Sequence, residues 1–146
     1  MVKGFRESGE IARKMGNKRI VYSSQSELAH VLREHGQLDE PLGIYRDLLP
    51  KWKDLGHRAA VAHELECIAY ILTQKEEPER AASLLGTAQE IRRVIDTPRT
   101  SNEEVEYEGE VNALREMLGE SGLRKKWDEG RSMTMEQAIQ LAIETP

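Results

Sequence analysis

Apolar residues recur along this chain at intervals of three and four, and the whole pattern returns after forty residues. Sliding the sequence by that step puts Val21 on Val61, Leu28 on Ile68, Ala29 on Ala69, Leu32 on Leu72 and Gly16 on Gly56. The register also runs toward the N-terminus: Phe5, Tyr45 and Leu85 align, as do Met15, Leu55 and Ile95. Self-similarity at this period marks a solenoid, in which each unit buries its apolar face on the next.

Taken in order, the pattern predicts an all-α chain. Residues 2–15 read as a helix with Phe5, Ile11, Ala12 and Met15 on its apolar side. It matches the second helix of each later copy, so the chain reads as the end of an array cut inside a repeat. A cut solenoid exposes an unpaired face, and self-association through residues 2–15 is the expected consequence. A helix over 18–35 carries Val21, Leu28, Ala29 and Leu32, and Gly36 closes it in the left-handed position. Asp39 is placed to cap the next helix, with Leu42, Tyr45, Leu48, Leu49, Trp52 and Leu55 inward. Pro50 inside that helix should kink it.

The second copy repeats the pair over 57–74 and 79–95, with Pro78 opening its second helix. Thr97-Pro98 breaks the chain. Ser101 with Glu104 forms a capping box for a helix that runs to Leu118. Tyr107, Val111, Leu114, Met117 and Leu118 should face inward there, and Gly119 stops it. A short helix around Trp127 spans 123–130, and Thr134 with Gln137 opens a last one. The expectation is seven to eight helices in one domain over 1–146. It divides into the end of a truncated repeat (1–16), two repeats (17–56 and 57–96) and C-terminal helices (101–146). Nothing reads as a strand.

Composition narrows the function classes. Charged residues make up 32% and the net charge is −5, so nonspecific attraction to nucleic acid phosphates is disfavoured. Arg124-Lys125-Lys126 is basic but set among acidic neighbours, a solvated helix face. No apolar run is long enough to cross a membrane. The N-terminus lacks a signal-peptide core, and the one cysteine, Cys67, has no intrachain disulfide partner; the cytoplasm is the default compartment.

No catalytic set emerges. His63, Glu66 and Cys67 stand at i, i+3, i+4 and, with His30 of the preceding copy, have the residue types to hold zinc. A buried thiol beside a surface histidine accounts for the same residues. Side chains one turn apart on a helix bring no oxyanion donors against a Cys67 nucleophile. There is no glycine-rich phosphate loop, and Trp52 and Trp127 fall on core stripes. The expectation is a chain that is not an enzyme and needs no cofactor or metal.

The repeats resemble tetratricopeptide repeats of the longer-period form, on Leu28, Ala29 and Leu32, then Ile68, Ala69 and Leu72, with Ala81 and the pair Tyr45 and Leu85 on the second helices. Pro41 and Glu76 depart from that pattern. The ordered series Leu84-Leu85-Gly86-Thr87-Ala88, Tyr107-Glu108, Leu118-Gly119-Glu120, Trp127-Asp128-Glu129-Gly130-Arg131 and Met135-Glu136-Gln137-Ala138 is similar to the end of the repeat region in large bacterial signalling ATPases and LuxR-type transcriptional regulators. The resemblance implies a right-handed superhelix of antiparallel helix pairs and a role as a sensor or docking arm. Its partner would be a protein, a peptide, a small ligand or another domain of the parent protein. It also implies a concave binding face lined in the first copy by Ser26, Glu27, His30, Arg33 and Glu34. In the second copy the corresponding positions are Glu66, Cys67, Tyr70, Thr73 and Gln74. A rival reading, a DNA-directed transcription factor whose basic tail touches nucleic acid, has the acidic balance against it.

Overall fold

A computed structural model describes residues 17–144 of the chain, so the helix expected over 2–15 lies outside the described residues. About 84% of the structure is helical, with no strand among the described residues. The helices are α1 (Lys18–Glu34), α2 (Asp39–Asp54), α3 (Arg58–Gln74), α4 (Pro78–Ile95), α5 (Ser101–Arg131) and α6 (Met135–Ile143). They fall into two compact units divided between Leu55 and Gly56, one residue before the second forty-residue copy begins.

The repeat is written into the backbone as well as the side chains. Asn17 caps α1 by accepting the Ile20 N–H at 3.2 Å, and forty residues on His57 caps α3 by accepting the Ala60 N–H at 3.1 Å. Gly36 closes α1 at φ +86° while Gln37 N–H returns to Leu32 C=O. Glu76, one period later, takes φ +63°, and Glu77 N–H returns to Leu72 C=O. The same left-handed turn thus forms with and without glycine. Gly56 and Asp96 make a second such pair, at φ +73° and +55°.

In the first unit α1 and α2 form a hairpin. Val21, Leu28 and Ala29 are buried, as are Leu42, Tyr45, Leu48, Leu49 and Trp52, and Tyr22 meets Trp52 edge-on at 5.5 Å between ring centres. The helix start differs from expectation: Leu38 occupies the cap position, and Asp39 enters the first turn, where its charge faces the helix dipole. α2 runs on through Pro50 to Asp54; Pro50 lies on the exposed side, where water can take the bond the ring forfeits. Leu55 is exposed rather than inward.

In the second unit α4 is the hub, packed against α3, α5 and α6. Every residue from Ala81 to Ala88 is therefore buried. The closest approach is between α4 and α5. Ser83, Gly86 and Thr87 face the backbone of Lys126, Trp127 and Gly130; Thr87 Oγ1 donates to Gly130 C=O and Ser83 Oγ to Lys126 C=O. Hydroxyls this near a helix backbone need small neighbours, and the two glycines supply them.

α5 begins on a capping box of Thr100 and Glu103, one residue before the expected Ser101 and Glu104. The run Thr100-Ser101-Asn102-Glu103-Glu104 contains both overlapping boxes, and pattern alone does not choose between them. Gly119, at φ +75° and ψ +164°, breaks α5 into two limbs, over 101–118 and 120–131. The expected stop at Gly119 and the short helix around Trp127 are these limbs. Met117, expected inward, is 44% exposed at the kink. The box of Thr134 and Gln137 opens α6 as expected. No helix of the described residues is long and apolar enough to cross a membrane.

The α4–α5 contact makes a prediction with an internal control. A Cβ at Gly86 would lie 2.2 Å from Trp127 O, and one at Gly130 1.8 Å from Ser83 O. Gly86→Ala and Gly130→Ala should each cost about 1–3 kcal/mol, since backbone must part. Gly109, on the open face of α5 with nothing within 4 Å, should gain up to about 1 kcal/mol on the same change. Urea unfolding of the three variants measures the contrast.

Candidate functional site

The residues expected on a concave face have divergent fates. In α1, Glu27 and Glu34 are exposed, Arg33 is half-buried and Ser26 is buried. His30 is engaged within its own unit: Nδ1 meets the Tyr45 hydroxyl and Nε2 lies 3.4 Å from Ser26 Oγ. In α3, Gln74 is exposed, but Glu66, Cys67, Tyr70 and Thr73 are buried. Thr73 turns its hydroxyl back to Ala69 C=O. An open groove lined by these four side chains is therefore not what the second unit presents. α4 packs along α3, and the loop before α5 adds Arg99 over Glu66.

Glu66 is the centre of that cover. Its carboxylate takes two bonds from Arg92, Nε to Oε2 at 2.8 Å and Nη2 to Oε1 at 2.9 Å. A third comes from Arg99 Nε at 3.0 Å. All three side chains are nearly solvent-free. A buried carboxylate needs this degree of pairing, and planar guanidinium forks supply it best. The two cations are held in turn: Arg92 donates to Thr97 C=O, and Arg99 donates to Gln89 and reaches Glu104. Arg92 sits in a site that burial disfavours, but its bonds to Glu66 hold the guanidinium above its ordinary range. Burial, reinforced by the Glu66 charge, drives the Tyr70 phenol far upward.

Arg99 also lies over the Tyr107 ring, 3.4 Å from its centre, and so connects the ion cluster to an open cleft in α5. This cleft, of about 320 Å³, lies between the two limbs. Tyr107 and Val111 line it from the first limb, Leu123 and Trp127 from the second. The two rings meet edge-to-face at 6.2 Å. Burial pushes the Tyr107 phenol up to about 12, although Arg99 opposes the shift. Charged groups form the rim: Arg115, paired with Glu120 at 2.6 Å, and the exposed Arg124 and Asp128.

An apolar floor edged by two guanidinium and two carboxylate groups can take an apolar side chain with a charged neighbour. The lining includes no serine, threonine, cysteine, histidine or lysine to act as a nucleophile. The helical periodicity puts Tyr107 and Trp127 on core stripes and gives no sign of the cleft. The available signal was Gly119 between two aromatic-bearing helical segments, which folds one face of the chain onto itself.

Two measurements check this geometry. Glu66→Gln leaves two buried guanidinium groups short of their counter-charge and should cost about 3–5 kcal/mol in chemical unfolding. The tyrosines bear on alkaline stability. In the unfolded chain Tyr107 ionises near pH 10, whereas folding holds its proton to about 12. Its contribution is whole below pH 10 and is lost as pH rises through 12, at no more than about 1.4 kcal/mol per pH unit. Stability against pH should fall less steeply in that window for Tyr107→Phe than for the parent chain.

No family model matches the chain, and neither a curated protein nor a solved structure matches it.

Proposed function

We propose that this chain is a non-catalytic helical-repeat module that recognises a peptide segment of a protein partner through the α5 cleft. The observation that carries this reading is the pairing of Tyr107 and Trp127 over an open floor edged by Arg115 and Arg124. Aromatic anchors with arginine beside them are the composition of binding hot spots. The occupant that fits is an apolar side chain next to an acidic one.

The forty-residue repetition of caps and left-handed turns supports a tetratricopeptide-like architecture, which in its finer form would be a right-handed superhelix of seven to eight helices. In that reading the module is the recognition arm of a larger bacterial signalling or transcriptional regulator. The second-copy candidate Glu66 serves as the support of the cleft: it holds Arg92 and Arg99, and Arg99 lies over Tyr107. Glu27, Arg33, Glu34 and Gln74 stay as candidates for contact with a partner.

Selection from a random peptide library displayed on phage, with the intact chain as bait, tests the proposal. Enriched peptides should pair an aromatic or branched apolar residue with one or two carboxylates. Arg124→Glu should weaken their binding by about 1–4 kcal/mol. Because Arg124 is exposed, the change should alter stability by no more than about 0.5 kcal/mol. Peptides that bind the Arg124→Glu variant as well as the parent chain would move the working surface elsewhere.

A further inference from the structure

The second unit carries a cluster that the cleft does not use. His63, Glu64 and Cys67, one turn of α3, bring an imidazole nitrogen, a carboxylate oxygen and a thiol sulfur within 4.8 Å of one another. From this cluster we infer a zinc site. Glu66, the acidic ligand the sequence pattern suggested beside His63 and Cys67, is committed to Arg92 and Arg99. Glu64, on the same turn, takes its place.

The geometry is close to what the metal requires. Zinc bonds to sulfur at about 2.3 Å and to nitrogen at about 2.0–2.1 Å, and a tetrahedral angle then sets S and N about 3.6 Å apart. Cys67 Sγ and His63 Nε2 are 3.7 Å apart. The Glu64 oxygen lies within 4.8 Å of the other two ligand atoms, so its distances to them must shorten by at most about 1.4 Å for all three to share one centre. On the far side of the imidazole, His63 Nδ1 lies 3.3 Å from Glu103 Oε2, within ion-pair distance. A carboxylate this close favours the tautomer with its proton on Nδ1 and its Nε2 lone pair toward Cys67, and a small ring rotation would complete the outer-shell bond usual for ligating histidines.

Charge and burial agree. Glu64 is 1% exposed and Cys67 1% exposed, so a thiolate and a carboxylate would share an interior turn of helix. A divalent cation balances both. On binding, the thiol proton leaves to solvent and the sulfur–metal bond forms in its place. Without metal, Cys67 and His63 share a weak thiol–imidazole hydrogen bond, and a purely structural role for these side chains is the alternative the experiment must exclude.

Cobalt(II) chloride is the probe, added to the untagged full chain after chelator treatment and reduction. One equivalent should develop intense visible bands of a tetrahedral site and a thiolate-to-cobalt charge-transfer band, and zinc should bleach them. Cys67→Ser should remove the charge-transfer band. Glu103→Gln should keep it while weakening affinity about 10–100-fold, which separates an orienting carboxylate from a ligand. A measurement on the unaltered chain avoids dependence on variants that fail to fold. X-ray absorption of the zinc-loaded protein should show one sulfur neighbour at about 2.3 Å and lighter neighbours at about 2.0–2.1 Å. A zinc shell of nitrogen and oxygen alone, or no charge-transfer band at one equivalent of cobalt, overturns the site.

Discussion

Much of the second unit depends on one buried carboxylate. Glu66 stands on α3 amid apolar neighbours, and desolvating its charge is tolerable only because Arg92 and Arg99 approach from two other segments. Arg92 belongs to the last turns of α4 and Arg99 to the loop before α5. Satisfying Glu66 therefore fixes where α4 ends and how the chain turns into α5. Arg99 then lies over Tyr107, so the same charge that anchors the loop also sets the wall of the cleft. An apolar contact tolerates small displacements, whereas a bidentate buried pair does not.

Backbone proximity fixes the second contact surface. α4 and α5 meet where Gly86 and Gly130 leave no side chain between them, and the hydroxyls of Ser83 and Thr87 bond to the carbonyls so exposed. This places the second limb of α5 against α4. With Arg99 and the capping box of Thr100 and Glu103 placing the first limb, the kink at Gly119 joins two independently positioned rods. A cleft between such limbs is held open by their supports. It does not require a ligand to define its shape, which is the condition for a preformed binding surface.

α3 is buried over ten consecutive residues, Glu64 to Thr73, and this unusual depth concentrates polar groups in the interior. Two of them have a local answer: Glu66 its arginines and Thr73 its own backbone. Tyr70, read from sequence as an exposed recognition ring, is instead part of the packing under α5.

By itself, the sequence determined the helices, the period and most of the turns. These are local properties: caps, left-handed closures and apolar spacing act within about one helical turn, and the forty-residue shift carried them from Asn17 and Gly36 to His57 and Glu76. Even there, overlapping signals left the start of α5 open by one residue. Tertiary structure alone decided which polar residues are buried and which are free. An amphipathic stripe shows that a helix has an inner face, but α3 is enclosed on more than that face, so residues on its polar side became interior. Pairings such as Glu66 with Arg92 and Arg99, or Trp127 with Tyr107, span 20 to 33 positions. No local periodicity encodes such contacts, because they arise only when separately formed helices pack.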